Sequence, residues 1–326
     1  MKILLVGDVM LGRLVNDILK KENPKYPWGD TLRIFKMADL RICNLECVIA
    51  DIGRPWTKTP KTFHFKSDAQ NIEVLKVAQI NLVSLANNHT LDFGYNAMRQ
   101  MIKILKDSSI SYAGAGENLD KASKPAKISN QNLKIVFISF TDNQEEWQAK
   151  TKTAGIFYVP INLKDPRAKY LLDLVKKTKR TTDLLIVLAH WGPNWGYQPE
   201  ARHVTFAHAL IEVGADLIFG HSAHVFQGIE IYKNRPIIYS AGDFVDDYAV
   251  DEIERNDESF IFFVETLKDK IIKLKLYPTI IKDFQAKLAP SKLGKVIAQK
   301  MQNLCQDFNT KSFFKTNQKC LIIPIN

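Results

Sequence analysis

The chain has 326 residues and 46% hydrophobic content, enough for a sizeable core in one large or two medium domains. Four cysteines without a CxxC pair argue against a disulfide framework or a thiolate zinc site, and no apolar run reaches membrane-crossing length. The net charge of +10 is concentrated in residues 266–326, where twelve lysines stand against three aspartates without arginine or glutamate.

Ile3 to Val6 reads as a buried first strand, which suits a core better than a secretory leader and points to a reducing, cytoplasmic setting. It runs into Gly7-Asp8, and Leu11 to Leu19 has helical spacing, so Asp8 is expected on the first strand-to-helix loop. The glycines at 7 and 12 are spaced like those of a P-loop. Arg13-Leu14 stands where Lys-Ser/Thr is needed, which excludes that reading. Leu40 to Leu45 is a second apolar approach, ending in Glu46. Residues 51–60, rich in Gly, Pro and Thr, are expected to loop over a site, with Trp56 placed to touch substrate, before an alternating strand at Phe63 and Phe65. Asn71 to Ala78 reads as a helix. Ile80 to Leu85 reads as a buried strand that delivers Asn88 and His89 onto a loop, and Met98, Met101, Ile102 and Leu105 then recur at helical spacing.

Further strands are expected at Ile110 to Ala113 and Lys134 to Phe140, and an amphipathic helix at Arg167 to Lys179. Leu184 to Ala189 is a nearly unbroken apolar run, as in a strand covered on both faces, and it stops at His190. Phe206 to Val213 reads as helix and Asp216 to Phe219 as strand, followed by Gly220-His221-Ser222-Ala223-His224. His203 and His208 have helical spacing and are read as structural. Hairpins follow at residues 227–240 and 260–277, separated by an acidic loop at 242–247. Ser291 is expected to cap a helix with Leu293, Val296, Ile297, Met301 and Leu304 on its apolar face. Leu321 to Ile325 reads as an edge strand.

Asp8, Glu46, Asn88, His89, His190, His221 and His224 all fall at the ends of predicted strands, where α/β proteins bind ligands. Singly each has an ordinary explanation, such as a helix cap, a surface acid or a structural imidazole. Together they form an oxygen and nitrogen donor set without thiolate, suited to one or two divalent ions of Mn, Zn, Fe or Co.

Six segments occur in this order: Gly7 to Arg13, Asn44-Leu45-Glu46, Ala86 to Gly94, His190-Trp191-Gly192, Gly220 to Gln227 and Tyr239 to Phe244. They resemble the CapA-type capsule synthesis (poly-γ-glutamate biosynthesis) family of the metallophosphoesterase superfamily, over about residues 1–250. The resemblance implies an α/β fold, a metallophosphoesterase-like four-layer α-β-β-α sandwich spanning residues 1–265, with 266–326 a basic extension packed on it. It also implies that Asp8 and His224 hold one ion, that Glu46 bridges, and that Asn88, His190 and His221 hold the other. His89 would be the general acid of a metal-dependent hydrolase acting on phosphoester-like bonds or a glutamyl polymer. Three positions depart from the superfamily pattern. Met10 stands where a histidine is usual, Glu46 replaces an aspartate, and either His221 or Ser222 faces the site. The alternative reading is a non-catalytic capsule-assembly or polyanion-binding protein. Nucleic acid is not expected as its partner, because no arginines accompany the tail lysines.

Overall fold

The computed structural model describes residues 1–130 and 133–325. Along the first strand, Lys2–Val9, every residue after Lys2 is buried, so both faces of the strand must be covered. Ile3 and Leu5 point to one side, where Phe260 and Phe262 of their own sheet join Ile135, Phe137, Ile186 and Leu188 of a second sheet in a single cluster. Leu4 and Val6 point to the other side, beneath Val15, Leu75, Met98 and Met101 of the helices Arg13–Leu19, Ile72–Val77 and Gly94–Asp107. The outer face of the second sheet buries Val136, Ile138, Leu185 and Val187 under the helices Pro166–Lys179 and Ala201–Glu212. The result is a four-layer α-β-β-α sandwich.

The first sheet has Lys2–Val9 near its centre. Leu40–Leu45, Leu82–Ser84 and Ser111–Ala113 follow it in parallel on one side. On the other side Glu258–Leu267 is antiparallel to it, and Lys270–Lys282, Cys320–Pro324 and Phe313–Lys315 continue outward. The lysine-rich segment therefore supplies strands to the same sheet as the N-terminal strand. In the second sheet Leu133–Thr141, Leu184–His190, Leu217–His221 and Arg235–Ile238 are parallel, with Ala126–Asn130 and Ile229–Tyr232 antiparallel at the two edges. Register brings the strand ends together: Asp8 is the Cα partner of both Asn44 and Asp243, and His190 is that of His221.

Several local expectations change. Asp8 lies inside the first strand, because the short strand Asp243–Val245 pairs with that end and Met10 N–H donates to Val245 O at 2.8 Å. Phe63 and Phe65 precede, instead of occupying, a two-residue strand at Lys66–Ser67. The helix expected from Phe206 begins at Ala201 and takes in His203, while the last helix begins at Ser291 with Pro290 at its cap position and no side-chain cap. The edge strand Ala126–Asn130 has no fully buried residue and so carries no apolar signal. Among the described residues no helix is long and apolar enough to cross a membrane.

Candidate metal centre

The parallel register sets Asp8, Asn44 and Glu46 side by side on adjoining strand ends of the first sheet, and places His190 and His221 opposite them on the second. Asp8 Oδ1 accepts from Asn44 Nδ2 at 2.7 Å and lies 3.7 Å from His221 Nδ1, while Asp8 Oδ2 accepts from the Ser222 backbone N–H at 3.3 Å. His190 is the hub between the two sheets. Its Nε2 is 2.9 Å from Asn88 Oδ1 and 3.8 Å from Glu46 Oε1, and its Nδ1 is 2.8 Å from His221 Nδ1. His224 Nδ1 sits 3.1 Å from Asp243 Oδ1. The structure thus gathers all seven predicted side chains around one cleft of about 630 Å³, lined in part by Glu46, Asn88, His89, Ser222 and His224. His221 lies beneath the cleft against His190, while Ser222, at φ 106°, reaches the lining.

His89 occupies a separate position on the cleft wall. Its Nδ1 is 2.6 Å from Asp92 Oδ2, and its ring stacks on Phe65 with centroids 4.0 Å apart. Asn87 fixes the turn that presents it, since Asn87 Oδ1 accepts from His89 N–H and Thr90 Oγ1 while Asn87 Nδ2 donates to Asn44 Oδ1 and Leu45 O. Lys61 closes the back of this pair, donating to Asn88 O at 2.6 Å and standing 3.3 Å from Asp92 Oδ1.

The electrostatics are those of a site built around positive charge. Burial, with the surrounding acids adding to it, pushes Glu46, Asp243 and Asp246 well above the usual carboxylate range. Burial raises Asp8 to about 7, although the Asn44 hydrogen bond opposes the rise. Burial also lowers His190 and His224, and brings His221 down to about 3. Among the described residues no lysine or arginine forms a salt bridge with Asp8, Glu46, Asp243 or Asp246. Glu46 Oε2 and His221 Nε2 are buried without a hydrogen-bond partner, while the buried Asp243 and Asp246 carboxyls hydrogen-bond to each other. Such orphaned groups are costly in a folded core and are the expected mark of a cation-binding pocket. Donor atoms of Asp8, His190 and His221 lie within 4.8 Å of one another, as do those of Asp8, Glu46 and Asp243. The donor set and its spacing fit divalent ions.

Some residues escaped sequence reasoning. Asn44, Asp92 and Asp243 all sat inside segments that carried the resemblance, yet none had a role. Asp92 follows His89 by three residues, a spacing that itself suggests contact across a turn, whereas Lys61 comes from a distant loop and left no signal. Trp56 does not line the cleft. It is buried edge-on against Tyr95 and Trp147, and Lys61, Phe63 and Phe65 from the same loop region reach the cleft instead. His203 and His208 lie outside the cluster, facing Asp142 at 3.3 Å and Glu230 at 2.9 Å.

A Mycobacterium tuberculosis chain named "Probable polyglutamine synthesis accessory protein" is 31% identical over 288 residues, covering 76% of this chain and 74% of that one. The capsule biosynthesis protein CapA of Bacillus anthracis is 29% identical over 246 residues, covering 74% of this chain but 59% of that one. A solved phosphatase from Mycoplasma pneumoniae superposes with a TM-score of 0.51 at 16% identity, over 90% of this chain and 96% of that one, and so shares the fold. Residues 2–248 match the model of the family described as bacterial capsule synthesis protein PGA_cap, and with three quarters of its length inside that match the chain belongs to this family.

Proposed function

We propose that the protein is a metal-dependent hydrolase of phosphoester-like bonds within the capsule and poly-glutamate synthesis family. One observation carries this reading: buried, partnerless carboxylate and imidazole atoms converge beside a histidine that is itself held by an acid. Asp8 and His224 would hold one ion and Asn88, His190 and His221 a second, with Glu46 between them. When bound, such ions neutralise phosphoryl oxygens and lower the pKa of a water to the point where it can attack.

The chain's own residues do the rest. His89 Nδ1 is committed to Asp92, leaving Nε2 for the leaving-group oxygen. Burial holds His89 well below its usual pKa and lifts Asp92 to about 7, so near neutrality one proton lies along the 2.6 Å contact. His89 gives its Nε2 proton to the departing oxygen as the Asp92 proton passes to Nδ1. The imidazole thus stays neutral while it acts as the acid. Phe65 fixes the ring plane, and Lys61 keeps Asp92 in place.

The relatives' names tie them to polyglutamine, PGA and capsule synthesis, and the same activated water can attack an amide of such a polymer. Two cations line the cleft, Arg13 and Lys61, and suit either a phosphate or a carboxylate-bearing chain. The deciding experiment is elemental analysis of purified protein followed by turnover of an aryl phosphate and of poly-γ-glutamate with each metal restored. Turnover of the ester supports the reading. Metal uptake without turnover of either substrate would favour a binding role in capsule assembly.

A further inference from the structure

The segment Gly7 to Arg13 carries an acid of the metal centre near one end and an arginine at the other, and the chemistry proposed above uses only the acid. Arg13 stands in the left-handed backbone region at φ 50°, a conformation that L side chains rarely adopt and that tends to persist at functional positions. Its neighbours hold it there. Leu14 N–H donates to Asp247 Oδ2 at 2.9 Å, and the same buried carboxylate oxygen takes the Arg13 guanidinium through Nε at 3.2 Å. The guanidinium also lies 5.7 Å from the centre of the Phe63 ring and 5.6 Å from that of Phe65. An acid and two rings thus orient the head group, while the side chain stays 38% exposed on the cleft wall. Among the described residues Nη1 and Nη2 of Arg13 donate no hydrogen bond. A planar guanidinium that is fixed in place with its terminal nitrogens unspent is a fork for a carboxylate or a phosphate.

Lys61, the other cation of the cleft, is already committed to Asn88 O at 2.6 Å and to Asp92 Oδ1 at 3.3 Å. Arg13 therefore supplies the free positive charge of the wall, and its position says which end of a substrate it meets. Phe65, against which the guanidinium rests, also stacks on the His89 ring at 4.0 Å, so one ring separates Arg13 from the group assigned to protonate the leaving oxygen. We propose that Arg13 is a specificity-determining residue that grips a second anionic group, a carboxylate or a phosphate, carried by the leaving-group alcohol. The preferred substrates are then phosphoesters of acidic alcohols. In the reaction a water oxygen bonds to phosphorus as the bond from phosphorus to the alcohol oxygen breaks. The His89 proton passes to that oxygen, a proton of the water is released to solvent, and His89 is reprotonated from solvent. The acidic alcohol leaves with its anion still held by Arg13. The inference rests on the hydrolase reading and adds to it the class of substrate.

The test compares three esters on metal-loaded, full-length protein: glycerol phosphate, phosphoglycerate, which adds a carboxylate to the alcohol, and glycerol bisphosphate, which adds a phosphate. Wild-type kcat/KM should be about tenfold or more higher for one or both of the acidic esters, and the better one identifies the anion. Arg13→Ala should lower kcat/KM for that ester about tenfold more than for glycerol phosphate, chiefly through KM. Arg13→Lys keeps the charge without the fork and should retain only part of the difference. Wild-type protein with no preference for either acidic ester overturns the proposal whether or not the variants fold, and leaves the hydrolase reading standing. An equal fall for all three esters in Arg13→Ala also overturns it, because that result places Arg13 on the phosphoryl group they share. Turnover of an aryl phosphate but of none of the three overturns the proposal alone, whereas no turnover of any ester overturns the hydrolase reading and this proposal with it.

Discussion

Stripping divalent metal from the protein and raising the pH should destabilise it, and the size of the effect can be worked from the cleft. Burial raises Asp8 from its ordinary 3.8 to about 7, and a fully ionised Asp8 in the metal-free site therefore costs about 4 kcal/mol. Glu46, Asp243 and Asp246 lie well above the usual range for the same reason. A carboxyl whose folded pKa is raised keeps a proton that the unfolded chain has already released, so its stabilisation is present at low pH and is lost as pH rises through the folded value. The histidines act in the opposite window. His89, His190, His221 and His224 are depressed by burial, so their contribution is complete above about 6.5 and lost only on acidification. The acids lose theirs as pH rises through the folded value, about 7 for Asp8, and up to that point each proton retained by the folded state lowers stability by about 1.4 kcal/mol per pH unit. Against a typical total of about 5–15 kcal/mol, this is a large fraction. Calorimetric melting after chelation should therefore show a Tm that falls as pH rises through about 7. Saturating Mn²⁺ should abolish or reverse the slope, because metal binding favours ionised ligands. A metal-free Tm that is flat across this range, or an equal fall with Mn²⁺ present, would refute the reasoning.

His89→Ala should retain metal while turnover falls on the order of 10²–10⁴, whereas His190→Ala should lose metal; elemental analysis beside single-turnover rates checks both, and metal loss in each variant would remove the division of roles. Asp92→Asn should likewise keep its metal but slow the reaction, since the amide cannot pass a proton to His89 Nδ1; an unchanged rate would make Asp92 a packing residue only. Met10 is buried in the apolar layer under the helices, so Met10→His is expected to cost about 1–3 kcal/mol in denaturant unfolding. Tighter binding of a second ion in that variant would show instead that the new imidazole reaches Asp8. If the lysine-rich segment holds a polyanion, poly-glutamate binding to the intact protein should weaken steeply between low and physiological salt, and binding that ignores salt would exclude that surface.

The convergence of donor residues on the cleft floor was legible in the sequence because those residues coincide with the ends of periodic runs. Five of the apolar runs read as core strands end in a donor residue, and parallel register brings such ends together; His190 and His221 become Cα partners with no long-range information beyond strand pairing. What was not legible depends on residues whose partners lie far away in the chain. Lys61 meets Asp92 through a loop without regular structure, and Trp56, an aromatic in the same loop, turned inward because Trp147 from a remote 3-10 turn offered an edge to pack against. Asp243 hid in an acidic loop, since nothing local shows that a parallel strand will carry it beside Asp8. Charge patterns without apolar periodicity specify position only after the sheet has formed.

The same distinction bears on how a polyanion would engage the protein. The segment after residue 265 carries most of the net charge, and four of its twelve lysines are paired with acids: Lys273 and Lys275 with Glu265, Lys287 with Asp283, and Lys300 with Glu258. None of them lines the cleft, whose cations are Arg13 and Lys61. Arg13 is itself constrained, held at φ 50° with its guanidinium 3.2 Å from Asp247 and about equally close to the rings of Phe63 and Phe65. Below these two cations lies a floor of buried carboxyls that burial holds toward their neutral form and that offer an anion no positive charge while they carry no metal. Metal held there would supply that charge, so metal uptake and the binding of a glutamyl or phosphate-bearing chain are expected to raise each other's affinity. If the chain takes up an acidic polymer under the proposed function, that recognition is expected to be governed first by ions in the floor and only second by the basic surface that dominates its composition.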